Sequence, residues 1–105
     1  MLSFCTETPY SLLVIYQRDT SFAYEEYFLY NEHVNHAPAW RIKSGEKYIS
    51  RSSASGKWQI GTTSDYVESE IEYTTPFEEG IAWDISNLED VDDILVTKDG
   101  KKISL

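Results

Sequence analysis

The sequence predicts an all-β fold, a single antiparallel twisted sheet or partly closed barrel of about six to eight strands, with one short helix near the C-terminus. Three observations lead there. A Trp-x-Ile triplet recurs as Trp40-Arg41-Ile42, Trp58-Gln59-Ile60 and Trp83-Asp84-Ile85, and alternate positions of a strand share one face, so each triplet sets a broad ring beside a branched aliphatic. Residues Val67 to Tyr73 alternate apolar or small with carboxylate over their whole length, the period of a half-buried strand. The apolar runs are short, rich in aromatic and β-branched residues, and separated by Gly, Pro, Asn and Ser, which punctuate strands.

A chain of 105 residues is the size of one domain with one core, so 1–105 is read as a single β domain. Aromatic residues make up 14% of it, too many for a disordered segment. Nine Lys and Arg against eighteen Asp and Glu give a formal charge of -9, which argues against direct binding to nucleic acid or to anionic membrane. Cys5 has no second cysteine to pair with, Asn31, Asn35 and Asn87 lack the hydroxyl residue of a glycosylation acceptor, and the N-terminal stretch has neither a basic region nor a long apolar run. These features suit a cytoplasmic protein.

Leu12 to Tyr16 reads as a buried strand after Pro9. Phe22 to Tyr30, with five aromatics, favours a strand although its spacing also suits a short helix, and Asn31 to Pro38 follows as a loop. The Trp40-Ile42 strand is broken at Gly45; Lys47 to Arg51 and Lys57 to Ile60 form the next two strands, joined by a turn at Ser52 to Gly56. Gly56 supplies the positive φ of that turn and Gly61 ends the ladder. In 67–73, Val67, Ile71 and Tyr73 share one face and Glu68, Glu70 and Glu72 the other; strands bearing Arg41, Lys43, Lys47 and Lys57 would offer those acids cross-strand ion pairs. Ile81, Trp83 and Ile85 mark another strand, and Ser86 with Glu89 fits a capping box opening a short helix through Leu88, Val91 and Leu95. Asp99-Gly100 predicts a hairpin setting Val96 against Ile103 and Ile94 against Leu105.

The motif residues Asn35-His36-Ala37-Pro38-Ala39-Trp40, Tyr48-Ile49, Ser55 to Gly61, Pro76 and Trp83 together resemble a small β-repeat domain with an N-G-x-P-x-Y/W, aromatic pair, G-x-W-x-I-G, P and W pattern. The resemblance covers Phe22 to Ile85. Such modules occur, often in tandem arrays, in large proteins of protists and marine invertebrates, and they have no generally assigned activity. Here His36 stands where the pattern has Gly, and the copy is solitary.

Chemical motifs are sparse. His33 and His36 beside Glu32 would be half a metal site and lack further ligands, so no metal or other cofactor is expected. Ser52 to Lys57 lacks the spacing and hydroxyl of a phosphate loop. Glu78 or Glu79 with Asp84 would be needed for carboxylate-pair hydrolysis, but no nucleophile arrangement accompanies them, and the chain is read as non-enzymatic.

The informative feature is charge distribution: eleven carboxylates and no base lie between Asp65 and Asp93, whereas Arg41 to Lys57 holds five bases against Glu46. Eight tyrosines are more than so small a core accommodates, so some must lie at the surface and suit protein contact. The expectation is a protein-interaction module or small subunit of an assembly, engaging a partner with a basic surface through Asp65, Tyr66, Glu68, Glu70, Glu72, Glu78 and Glu79. An acidic inhibitor that mimics nucleic acid and blocks a nucleic-acid-binding protein is the alternative, since clustered carboxylates speed encounters with cationic surfaces.

Overall fold

A computed structural model describes residues 8–78 and 80–98. Eight strands form one antiparallel sheet: β1 (Ser11–Arg18), β2 (Ser21–Leu29), β3 (Trp40–Ile42), β4 (Tyr48–Arg51), β5 (Trp58–Gly61), β6 (Tyr66–Ser69), β7 (Trp83–Asp84) and β8 (Asp93–Thr97). Their order is β7-β6-β5-β4-β3-β2-β1-β8, a meander in which only β8 returns to pair with β1. Side chains from β1 through β8, including Trp83 at one edge and Ile94 and Val96 at the other, belong to one buried cluster. A flat sheet cannot bring its two edges to one core, so this sheet curls into a nearly closed barrel.

Inward positions follow the period of two. Leu12, Val14, Tyr27, Trp40, Ile49, Trp58, Ile60, Val67 and Trp83 are all buried, and Trp40 opposite Ile49 and Ile60 opposite Val67 are cross-strand neighbours. All three tryptophans of the Trp-x-Ile triplets face inward, with Ile60 buried and Ile42 and Ile85 packed against the cluster. Full burial of each large side chain contributes roughly 1.5–3 kcal/mol, so this register is strongly specified.

The turns explain the strand boundaries. Asn35 and His36 have φ of 54° and 67° between Val34 and Ala37, which exchange both backbone hydrogen bonds, the geometry of a tight two-residue turn of type I′. Gly56 does take a positive φ, 73°. At Gly61 (φ 144°) a Cβ would run into the Asp65 carbonyl oxygen, so the 62–65 loop folds back directly over the glycine.

Two expected elements differ. The alternating segment 67–73 leaves the sheet after Ser69, and Ile71 is 58% exposed. The buried Ser69 hydroxyl accepts the Trp58 backbone N–H and donates to the Ile71 carbonyl, a local alternative to ladder bonding that turns the chain away. The helix opened by Ser86 is replaced, among the described residues, by a turn in which Leu88 N–H donates to the Ile85 carbonyl. Asp84 Oδ1 accepts both the Ser86 N–H and its hydroxyl, so the side chain that would cap a helix is held from behind, and Leu95 lies in β8. The Asp99-Gly100 hairpin with Ile103 and Leu105, and Cys5, lie outside the described residues.

Replacing His36 with Gly removes the cost of a β-carbon in a left-handed conformation and is expected to stabilise the protein by about 0.5–1 kcal/mol, read from urea unfolding midpoints. Ser69→Ala leaves the Trp58 N–H buried without its acceptor and is expected to cost about 1–3 kcal/mol in the same measurement.

Candidate functional site

The outer face of β4 to β7 carries the residues that the inward register leaves over. Pairing places Ser50 opposite Gln59, Gln59 opposite Glu68, and Glu68 opposite Asp84, one polar row across four strands. A parallel row runs Arg41, Tyr48, Gly61, Tyr66. Two grooves sit on these rows. One, of about 360 Å³, is lined by Asp65, Tyr66, Glu68, Asp84, Ser86 and Asn87 among others. The other, of about 290 Å³, is lined by Tyr30, Val34, Tyr48, Ser50, Gln59 and Gly61, together with Thr62 and Thr63. Tyr30 and Tyr48 meet edge to face with centroids 5.5 Å apart.

Of the sequence-predicted partner residues, Asp65, Tyr66 and Glu68 come together in the first groove. Glu70 is exposed farther along, its N–H donating to the Ala82 carbonyl. Glu72 packs over the β4–β5 turn, where its carboxyl carbon lies 3.2 Å from the position a Cβ on Gly56 would take. Glu78 accepts the Thr75 N–H within its own turn, and Glu79 lies outside the described residues. Asp84 takes their place in the groove; its outward position in the third Trp-x-Ile triplet was the available signal. The Ser86 hydroxyl and then the Ser86 N–H hold the Asp84 carboxyl below its ordinary range, with nearby Lys57 adding to the effect.

The expected ion pairs between the 67–73 carboxylates and Arg41, Lys43, Lys47 and Lys57 do not form. Among the described residues the ion pairs are Lys47 with Glu25 at 3.0 Å and Arg18 with Asp90 at 3.6 Å. Three of the bases in 41–57 are engaged elsewhere: Arg41 donates to the Gly45 carbonyl and lies over the Tyr48 ring, Arg51 lies over Trp58, and Lys47 reaches Glu25. Glu68 Oε2 instead accepts from the neutral Ser55 hydroxyl and the Gln59 amide.

A second polar cluster, at one mouth of the barrel, escaped the sequence reading. Glu25 shares the inward parity of Tyr27 on β2, and its Oε1 accepts the Tyr16 hydroxyl at 2.7 Å and the Tyr27 hydroxyl at 3.1 Å while Oε2 meets Lys47. A recess of about 180 Å³ lies there, walled also by Ile60, Leu88 and Val91. Burial, then the charge of neighbouring groups and the bond to Glu25, pushes the Tyr16 hydroxyl far up; burial and then Glu25 do the same to Tyr27. An acid on an inward position beside two tyrosines and a facing lysine was the pattern that marked it.

The remaining motifs are absorbed by local structure. His33 and His36 are exposed in the 31–38 loop, and no group of three metal-ligating side chains occurs among the described residues. In the Ser52 to Lys57 turn the amides of Ala54 and Ser55 donate to Ser52 Oγ, that of Gly56 to the Ser52 carbonyl and that of Lys57 to Ser55 Oγ, so these donors are spent within the turn. No protein-family model, curated protein or solved structure matches this chain.

Because the folded state holds Tyr16 and Tyr27 protonated above the ordinary tyrosine range of about 10, while the unfolded chain ionises there, their contribution to stability is full below about pH 10 and is lost as pH rises further. Urea unfolding at pH 8 and pH 11 should show a lower midpoint at pH 11, and Tyr16→Phe should reduce that difference.

Proposed function

We propose that this chain is a non-enzymatic protein-interaction module, or a small subunit of a larger assembly, that engages a partner with a basic surface through the outer face of β5 to β7. The observation that carries the reading is the gathering of Asp65, Glu68 and Asp84 around the exposed Tyr66 in one groove, without an ion pair to any of these acids among the described residues. An excess of charge of one sign at a rim raises encounter rates with a cationic surface, and a tyrosine gives contact area at low rotamer cost. The same charge disfavours direct contact with nucleic acid or anionic lipid. A cytoplasmic setting and membership of the β-repeat group over Phe22 to Ile85 belong to the same proposal, since modules of that pattern carry no generally assigned activity.

Capture from the native source on immobilised protein tests the reading. A variant combining Asp65→Lys, Glu68→Gln and Asp84→Asn, with its β circular dichroism intact, is expected to retain less than a tenth of the partner that the parent chain holds. Equal capture by both proteins overturns the assignment of this face. Partner released by duplex DNA at the same salt would instead identify the inhibitory, nucleic-acid-mimicking mode, whose affinity falls steeply as salt rises.

A further inference from the structure

We infer that the two outer grooves form one recognition strip for an extended peptide segment, with an apolar residue of the segment resting against the Tyr30 and Tyr48 pair and an arginine, about four residues away, held by Glu68 and Asp84. This rests on the reading above that the chain binds protein, and names the segment it takes. Gln59 and Glu68 face each other across β5 and β6, hydrogen-bonded at 3.1 Å, with Gln59 lining the tyrosine groove and Glu68 the acidic one. The grooves are therefore neighbours across a single side-chain ridge.

Gly61 lies at the apolar end, between Tyr48 and Tyr66 in the outer row, and lines the same groove as Tyr30 and Tyr48. The place a β-carbon would take there is filled by the Asp65 carbonyl and Tyr66, so only backbone stands at this point of the row. Tyr30 and Tyr48 stand edge to face beside it, with Val34 from the 31–38 loop completing an apolar wall. Proline or leucine fits against such a wall, since aromatic-lined grooves receive extended proline-rich segments.

Charge complementarity selects the other residue. Glu68 and Asp84 are directly opposite one another, and Asp84 takes both Ser86 bonds on Oδ1, which fixes its carboxylate. Two adjacent carboxylates suit a guanidinium, whose planar fork donates to both at once, better than the point charge of lysine. Strands lie about 4.8 Å apart, so β4 to β7 spans roughly 14 Å, the length of about four extended residues.

The test uses the full chain and a capped, fluorescein-labelled nonapeptide of alanine and serine carrying one leucine and, four positions on, one arginine. Two control peptides replace the arginine by citrulline or the leucine by serine. Fluorescence anisotropy is expected to show binding of the first peptide weakened at least tenfold in either control, and at least tenfold by Glu68→Gln in the protein. Amide shifts on titration are expected to concentrate at Tyr48, Gln59, Gly61, Tyr66 and Glu68, a readout that needs no protein variant. Equal binding of the citrulline peptide, no binding of the first peptide, or shifts centred elsewhere overturn the strip. If the captured partner is lost with the acidic-groove variant while the peptide fails, the strip alone falls. If neither responds to the loss of these charges, the reading of the face falls with it.

Discussion

The structure depends on two indoles meeting inside the sheet. Trp40 and Trp58 pack at 6.3 Å between ring centroids and are almost wholly buried. An indole buried this deeply must still satisfy its N–H, and each does so on a loop: Trp40 donates to the Pro9 carbonyl and Trp58 to the Tyr73 carbonyl. Phe77 closes against Trp40 edge to face, and Pro9, Pro38 and Pro76 surround the same recess. One end of the barrel is thereby shut by rings and prolines, with Pro9 before β1 and Tyr73 after β6 anchored to the tryptophans. Trp83 is the contrast, its buried indole N–H having no partner among the described residues.

The other mouth is closed by different chemistry. Glu25 holds two tyrosine hydroxyls and a lysine at the position where an apolar residue would continue the core. A carboxylate so placed is tolerable only because its oxygens are hydrogen-bonded and a cation neutralises it. The 85–92 connector, which links the two edge strands, adds Leu88 and Val91 against the core and is tied to the β1–β2 turn by Asp92 N–H to the Gln17 carbonyl and by Asp19 N–H to the Asp92 carboxylate. This connector joins β7 to β8, the two strands at the seam of the incomplete barrel, and β7, only two residues long, leaves little edge for further strands to pair with.

Period-two alternation made most of this architecture legible, because burying Trp40, Trp58 and Trp83 fixes the orientation of their neighbours. It failed where a side chain competes with the backbone. Ser69 fits the alternating pattern of 67–73, yet its hydroxyl draws off the Ile71 carbonyl, and no count of apolar positions contains that event. Ser86 has the composition of a helix cap, but Asp84, two residues earlier, binds it first. The acidic site was legible in part for a related reason: composition located the carboxylates, whereas only strand register decides that Asp84 joins Glu68 while Glu72 lies over the β4–β5 turn and Glu78 turns into its own loop.

Register also accounts for the unbalanced charge. Lys47 shares the inward parity of Ile49 and is drawn to Glu25 at the mouth, Arg51 shares it too and covers Trp58, and Arg41 is outward but lies over Tyr48. Three of the bases that composition alone would distribute among the β6 acids are therefore committed to aromatic rings and to one inward carboxylate, while Lys57 acts on Asp84 without a contact ion pair. The acids of the β6–β7 face keep neutral hydrogen-bond donors as partners, Ser55 and Gln59 on Glu68 and Ser86 on Asp84. Neutral donors fix a carboxylate's direction without cancelling its charge, so Glu68 and Asp84 are held in fixed orientations while keeping their negative charge.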